Sequence, residues 1–357
     1  MQWRAWVFVL AIGSFCLGFG ATVPEQSLRE AAQPSLLLIG TAVRPAQLSE
    51  AAYASTLARE FNMLEPEDAL KWEVAHPGPQ VFDFSRADQI VDFASRHGMK
   101  VRGHTLVWHR QNPKWLTEGN YTSGELAQIL EQHIRAVVGH FRGKIFAWDV
   151  VNEAFDELHP GTLRSTIWRD QPGIGLAENG SSYIESCFRW AHEADPRALL
   201  FYNEAEAEVV NPKSDAIYAM VRDFRQRGVP IDGMGFQMHI TNLHADVVSI
   251  SANIKRFTAL GVQVHITEMD VALPVDPNGN ARPSDLQRQA DIYREIADAC
   301  LSHPGCTAIQ TWGFTDKYSW IGSHSKQTQG AALPFDRNYR AKPAYEALRE
   351  ALDSGRR

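Results

Sequence analysis

Two glutamates of this chain stand where short apolar segments end, which is where parallel β-strands present reactive side chains. Glu153 follows the segment Ile145–Asn152, and Glu268 ends the segment Val264–Glu268. Cleavage of a glycosidic bond needs a proton for the leaving oxygen and stabilisation of an oxocarbenium-like centre, and two carboxyl groups supply both. Asn152 adds an amide beside Glu153, suited to a sugar 2-hydroxyl. The pair alone is a weak signal, because acidic residues are common at strand ends.

Polar, charged and aromatic residues recur at the ends of the other predicted strands. They are Glu65, Glu67, Asp68 and Lys71 near strand two, His104, Trp108 and His109 near strand three, Tyr202–Glu204 at strand five, Gln237–His239 at strand six, Asp270 after strand seven and Trp312 at strand eight. Structural ion pairs explain one or two such residues. Their recurrence along one rim indicates a functional cleft.

Eight β-rich apolar segments alternate with amphipathic segments. The predicted strands are Leu36–Val43, Phe61–Glu65, Val101–Val107, Ile145–Asn152, Leu199–Asn203, Gly233–His239, Val264–Glu268 and Ile309–Phe314. Helical patterns lie between them, such as Gly124–Phe141 and Asn211–Arg227. This alternation predicts an α/β fold, a (β/α)₈ TIM barrel whose active site lies at the C-terminal strand ends. An open doubly wound sheet is the alternative, but no glycine-rich phosphate turn follows the first strand.

Composition limits the function classes. The chain has 357 residues, 44% of them hydrophobic and 22% charged, which suits a globular domain with a sizeable core. The net charge of −7 does not attract nucleic acid or an anionic membrane. No low-complexity linker interrupts the sequence, so we expect one domain over residues 25–352. We also expect the protein to be a monomer.

The N-terminus has the features of a signal peptide. Arg4 precedes an uncharged, mostly apolar run, and small residues follow, which predicts cleavage after Ala21 and a signal peptide over residues 1–21. A membrane anchor is the competing interpretation, because the run approaches spanning length. Its small residues favour cleavage, so we expect a secreted protein, extracellular or periplasmic, with no membrane attachment.

Export permits disulfides. Cys300 and Cys306 flank a five-residue segment and could close a small loop. Cys187 lies in a helical pattern and is expected to be a buried, inert thiol. The cysteines do not have the spacing of a zinc site, and we expect no metal and no cofactor.

Five segments resemble those of glycoside hydrolase family 10, the endo-β-1,4-xylanases. They are His104–His109 (HTLVWH), Trp148–Ala154 (WDVVNEA), Gln237–His239, Thr267–Asp270 (TEMD) and Thr311–Trp320 (TWGFTDKYSW), in the family's order. The resemblance runs from about Ile39 to Leu348. It implies hydrolysis of xylan and xylo-oligosaccharides on the barrel fold that the strand pattern also predicts.

The resemblance also implies roles. Glu153 matches the acid/base and Glu268 the nucleophile, while His239 matches the histidine that binds the nucleophile and Asp270 the carboxylate that orients this histidine. Sugar-binding roles fall on Asn152, Gln237, Lys71, His104 and Trp312 at the cleavage site, and on Glu67 and Trp320 one sugar further toward the non-reducing end. For Trp108 and Trp72, ligand contact and packing behind the site both remain open.

Two positions depart from the family pattern. Asp68 stands where the family usually has asparagine, and it either binds sugar hydroxyls as an acceptor or caps a helix beginning near Ala69. Ala205 stands where the family usually has an aromatic residue that stacks on the aglycone side.

The chemistry implied is retaining hydrolysis by double displacement, with the charge of Glu268 helping to keep Glu153 protonated for the first step. Another retaining barrel glycosidase, a β-mannanase or cellulase, is the first alternative, because such enzymes also have carboxylates on strands four and seven. A carbohydrate-binding protein without turnover is the second. Such a protein would be expected to lose a carboxylate, and both are present.

Overall fold

Eight parallel strands form a closed ring in the computed structural model, which describes residues 26–355. They are β1 (Leu38–Val43), β2 (Met63–Pro66), β3 (Lys100–Gly103), β4 (Ala147–Asn152), β5 (Leu199–Glu204), β6 (Gly233–Phe236), β7 (Gln263–Val271) and β8 (Cys306–Thr311). The last strand pairs with the first, Ala308 opposite Leu38, and with the seventh, Cys306 opposite Val264. The predicted (β/α)₈ barrel is therefore confirmed, and the open sheet is wrong.

A helix follows each strand and packs outside the ring. These helices are α1 (Ala51–Glu60), α2 (Ser85–Arg96), α3 (Ser123–His140), α4 (Ser182–Ala194), α5 (Pro212–Gln226), α6 (Val247–Thr258), α7 (Pro283–Leu301) and α8 (Pro343–Ser354). Shorter helices are Leu28–Ala31, Trp72–Ala75, Lys114–Thr117 and Ile321–His324, with 3₁₀ turns at Gln33–Ser35, Pro45–Ser49 and Ala177–Asn179, and two-residue strands at His239–Ile240, Leu273–Pro274 and Gln329–Gly330.

The helices dock through apolar stripes of helical period. In α6 the buried residues Ile250, Asn253, Ile254 and Phe257 recur at intervals of three and four, so they line one face. The strands need no alternation, because helices cover them outside and side chains fill the ring inside; all six residues of β4 are buried. None of the helices formed by residues 26–355 combines the length and apolar composition needed to cross a bilayer.

Three predicted strands end earlier than the sequence pattern indicates: the third, the sixth and the eighth, which stops at Thr311. Strand three stops at Gly103, where a Cβ atom would lie 2.2 Å from the Trp148 ring. Strand six stops at Phe236, and Met238 takes a positive φ of 65°. This turn lets His239 pair beside Asp270 of β7. The apolar pattern continues through both turns, so the sequence alone does not reveal them.

The sequence analysis also made predictions about the cysteines and the N-terminus. A disulfide joins Cys300, on the last turn of α7, to Cys306, the first residue of β8. Cys187 on α4 is a buried free thiol, and burial raises its pKa above the usual value. The predicted signal peptide, residues 1–21, lies outside the described residues.

Candidate active site

Glu153 stands immediately after β4, and two donors hold its carboxylate. The backbone there takes a positive φ of 54°, and the Glu153 N–H donates to the Asn203 carbonyl at 3.0 Å. Gln237 Nε2 donates to Oε1 at 3.0 Å, and Trp108 Nε1 donates to Oε2 at 2.8 Å. The carboxyl group therefore has a fixed orientation at the rim of the barrel.

Glu268 lies within β7, buried, with a polar contact at each carboxylate oxygen. Asn203 Nδ2 donates to Oε1 at 2.7 Å, and His239 Nε2 lies 3.2 Å from Oε2. Its own N–H donates to the Gln237 carbonyl at 3.0 Å. Such contacts leave the carboxylate little rotational freedom, as an attacking group requires.

A row of amides connects the two glutamates. Asn203 Nδ2, which donates to Glu268, also donates to Asn152 Oδ1 at 2.9 Å. Gln237 Nε2, which donates to Glu153, lies 3.3 Å from the same Asn152 oxygen. The carboxylates predicted from strands four and seven thus border one polar site. Asn203 was not among the predicted site residues; its position at the end of β5 was the available signal.

His239 lies between two carboxylates. Its Nδ1 is 3.0 Å from Asp270 Oδ1, and Trp320 Nε1 donates to Asp270 Oδ2 at 2.8 Å. Burial acts against the charged ring, but Asp270 and Glu268 outweigh burial and hold the pKa of His239 well above its usual value. The raised pKa favours the cationic ring, which lies between the carboxylates of Asp270 and Glu268.

A buried polar layer supports this site from inside the barrel. The Arg102 guanidinium bonds both oxygens of Asp149, and His104 Nδ1 lies 3.0 Å from Asp149 Oδ2. Glu65 is beside them, 3.6 Å from the same histidine nitrogen, and burial raises the pKa of Glu65 to about 8. The side chains of Glu65, His104 and Asp149 are close enough together to hold a cation. The guanidinium of Arg102, which pairs with both carboxylates, already supplies a positive charge there.

Lys71 and Trp312, which the resemblance assigns to the wall of the cleavage site, lie close to each other, and Lys71 also lies close to Trp108. Lys71 Nζ lies 4.9 Å from the centroid of the Trp108 ring and 5.7 Å from that of Trp312. The Trp312 ring meets His104 edge to face, with centroids 5.2 Å apart. Trp72, by contrast, is 1% exposed and stacks on His133, so it packs behind the site.

Glu67 and Asp68 share a cation that the sequence analysis did not identify. Arg44, which follows β1, bonds Glu67 Oε1 at 2.6 Å and Asp68 Oδ2 at 3.0 Å, and Lys71 is 3.3 Å from Asp68 Oδ1. The helix here begins at Trp72 with Lys71 as its N-cap. The interpretation of Asp68 as a cap for a helix near Ala69 is therefore wrong.

Strand β5 turns its last glutamate away from Glu268. Tyr202 Oη donates to Glu204 at 2.5 Å, and Lys213 Nζ lies 2.9 Å from its other oxygen. Burial raises the pKa of Glu204 to about 7. Ala205 follows, and its carbonyl accepts from Lys213 at 2.9 Å. The small side chain leaves the rim without an aromatic platform here.

The protonation of Glu153 differs from the expectation. Burial acts to raise its pKa, but the hydrogen bonds from Gln237 and Trp108, with the positive charges of His109 and Arg110, outweigh burial and hold the pKa below its usual value. In the substrate-free site these groups therefore outweigh any raising of the pKa by the charge of Glu268. The local donors are closer to the carboxylate, and they favour its ionised form.

This arrangement predicts the effect of Trp108→Phe. The indole N–H stabilises only the ionised carboxylate, so its loss raises the pKa of Glu153. With Glu153 as the acid, as the resemblance implies, the alkaline limb of kcat/KM should move to higher pH by about one unit, because this limb reports loss of the acid's proton in the free enzyme. Initial rates on an aryl xylobioside across pH check this. Trp115→Phe is the control, because its indole donates to the His76 carbonyl instead; an unmoved limb in Trp108→Phe contradicts the assignment.

Known proteins are similar to this chain in sequence. The profile "Glycosyl hydrolase family 10" matches residues 27–351. "Endo-1,4-beta-xylanase B" of Thermotoga neapolitana is 45% identical over 84% of this chain and 83% of that protein. "Exoglucanase XynX" of Acetivibrio thermocellus is 38% identical over 87% of this chain and 28% of that protein.

A solved structure agrees with these sequence matches. The crystal structure of xylanase 10B from Thermotoga petrophila in complex with xylobiose is 42% identical, with a TM-score of 0.87 over 93% of this chain and 99% of that chain. The profile and these relatives span nearly the whole described barrel, and the chain belongs to glycosyl hydrolase family 10.

Proposed function

We propose that this hydrolase is a retaining endo-1,4-β-xylanase that cleaves internal β-1,4 bonds of xylan by double displacement. The observation that carries the proposal is the pair of fixed carboxylates, Glu153 held by Gln237 and Trp108, and Glu268 held by Asn203 and His239. Retention requires carboxyl groups about 5–5.5 Å apart, one acting as acid and one as nucleophile.

In the first step Glu268 attacks the anomeric carbon. The bond from this carbon to the bridging oxygen breaks, and Glu153 gives its proton to that oxygen, so the leaving sugar departs neutral. A covalent bond joins the sugar to Glu268. Asn203 and cationic His239 hold the attacking carboxylate in place, and Asn152 offers an amide to the 2-hydroxyl.

In the second step water replaces the leaving sugar. Glu153, now ionised, takes a proton from the water, whose oxygen attacks the same carbon and releases Glu268. Each step inverts the configuration of the anomeric carbon, so the two steps together retain it. Because Gln237 and Trp108 favour the ionised form of Glu153, the site is prepared for this base role.

The relatives' names support xylan as substrate, and so does the xylobiose in the related crystal structure. A relative named exoglucanase keeps β-1,4-glucan as the second candidate. Product analysis on xylan, mannan and cellulose side by side tests the choice. Xylo-oligosaccharides released from xylan alone support the proposal; faster cleavage of mannan or cellulose overturns it, and binding without products indicates a carbohydrate-binding protein.

Trp320 is proposed to set the preference for xylose. By resemblance it covers the non-reducing side of the cleft, where a close indole would clash with the hydroxymethyl group that glucose carries and xylose lacks. Trp320→Ala should lower activity on xylan about tenfold or more, since Asp270 also loses a donor, and should narrow the ratio of aryl xyloside to aryl glucoside hydrolysis.

Trp320→Phe is the matched control for this prediction. It also loses the indole donor to Asp270 but keeps a ring over the cleft. The loss of turnover should therefore appear in both variants, and the narrowed ratio chiefly in the alanine variant. A ratio that is unchanged or widened in Trp320→Ala would show that Trp320 does not set the preference.

We also propose that the protein is exported and acts as a monomer. The apolar N-terminal run supports export, as does the disulfide between Cys300 and Cys306. The proposed catalytic residues all belong to one chain, so the site needs no partner subunit. N-terminal sequencing of the protein outside the cytoplasm should begin after Ala21, and light scattering should give a monomer mass. An intact N-terminus in the membrane fraction contradicts signal cleavage and indicates the membrane anchor instead.

A further inference from the structure

His109 presents a ring nitrogen to the acid/base. It follows Trp108 on the loop after β3, and its Nδ1 lies 4.0 Å from Glu153 Oε2. This nitrogen is buried and, among residues 26–355, has no hydrogen-bond partner. The separation is too long for a direct hydrogen bond, but a dipole acts over this distance in a partly dehydrated site.

Arg110 determines which nitrogen of His109 carries the proton. Arg110 Nε donates to His109 Nε2 at 3.0 Å. A guanidinium keeps its protons and cannot accept a hydrogen bond, so Nε2 must be the accepting nitrogen. In a neutral imidazole the proton then resides on Nδ1, the nitrogen that faces Glu153.

The ring is neutral at neutral pH. Burial and the positive charges of Arg164 and Arg110 lower the pKa of His109 to about 4, against the opposing charges of Glu153 and Glu157. Arg164 and Glu157 come from the loop after β4, and their side chains lie 3.2 Å apart. The ring therefore acts on Glu153 through its N–H dipole.

We propose that Arg110 is a positioning residue for the acid/base, because it fixes His109 in the Nδ1–H tautomer and so turns an N–H toward Glu153. The donor dipole favours the ionised carboxylate, the form that activates water in the second step. Without Arg110 the proton can move to Nε2, and the lone pair then facing Glu153 favours its protonated form. The tautomer is a property of the structure, whereas its part in the reaction rests on the proposed function.

Nitrogen NMR of the ¹⁵N-histidine-labelled protein reads the tautomer directly. His109→Asn identifies the signals of His109. The wild type should show a protonated Nδ1 and an unprotonated Nε2. Arg110→Met should shift the ring toward the Nε2–H form, and Arg110→Lys, which keeps a donor, should restore the wild-type pattern. Arg222→Met, which removes an exposed arginine of α5, should change nothing.

Kinetics separate action through His109 from direct action of the Arg110 charge. On an aryl xylobioside, Arg110→Met should move the alkaline limb of kcat/KM upward by about half a pH unit. In the His109→Asn background the same change should move the limb less, because only the direct effect of the Arg110 charge remains and the part that passes through the ring is lost.

Two results overturn the proposal. One is an Nε2–H tautomer in the wild type, or a tautomer unchanged by Arg110→Met. The other is a limb shift of equal size with His109 present or replaced, which would assign the effect to charge alone. If the protein turns over no xyloside, the proposed function fails, and the NMR result still decides the tautomer.

Discussion

Glu268→Ala should lower the turnover of xylan by about four to six orders of magnitude, because no other group can form the covalent intermediate. Asn203 and His239, which hold the carboxylate in the wild type, stay in place and still shape the site. Folding should be intact, as circular dichroism can check. Small nucleophiles test the role itself: azide fits where the carboxylate was removed, attacks the anomeric carbon in its place and gives a glycosyl azide of inverted configuration.

Glu206→Gln provides the control for this experiment. Glu206 is an exposed carboxylate on the loop after β5, close in sequence to Asn203 and without a place in the proposed mechanism. Its replacement should leave turnover near the wild-type value, and azide should have no effect. Near-normal activity of a folded Glu268→Ala protein would show that the nucleophile lies elsewhere.

Glu153→Ala should slow hydrolysis of xylan by about two to four orders of magnitude, the usual contribution of general acid–base catalysis. The loss should depend on the leaving group. A dinitrophenyl xylobioside needs no proton to depart, so the first step persists while the second, which needs the base, stalls. The covalent xylobiosyl adduct on Glu268 should accumulate and be visible by mass spectrometry of the intact protein.

A burst of dinitrophenol and a lowered KM would accompany this adduct. Glu157→Ala is the control, since Glu157 is an exposed carboxylate on the same loop that pairs with Arg164. It should show neither a burst nor an adduct. Equal losses on xylan and on the activated substrate, without an adduct, would contradict the acid/base role of Glu153.

The barrel and both carboxylates could be predicted from the sequence, for a physical reason. Strands that are buried on both faces appear in the sequence as apolar runs, and the residue that ends each run must lie on the C-terminal rim of the barrel. This rule places Glu153 and Glu268 on the rim, and the family resemblance distinguishes them from the other acidic residues there. The turn after Phe236 did not follow, because the positive φ of Met238 has no glycine to signal it.

The supporting contacts could not be predicted, because they join residues far apart in the chain. Arg44 reaches Glu67 across two neighbouring strand ends, and Arg102 reaches Asp149 inside the barrel. Asn203 contacts Glu268 only because the side chains of both residues point into the interior of the ring. The direction of the Glu153 pKa depended on such contacts as well, since Gln237 and Trp108 lie on loops that follow different strands.

The anomeric configuration of the first product tests double displacement most directly. Xylan or a xylo-oligosaccharide can be hydrolysed in an NMR tube and followed before mutarotation mixes the anomers. Attack by Glu268 followed by water activated by Glu153 predicts that the β-anomer appears first and the α-anomer only later, by mutarotation. An α-anomer that appears first would mean a single displacement by water, and would contradict the role proposed for Glu268.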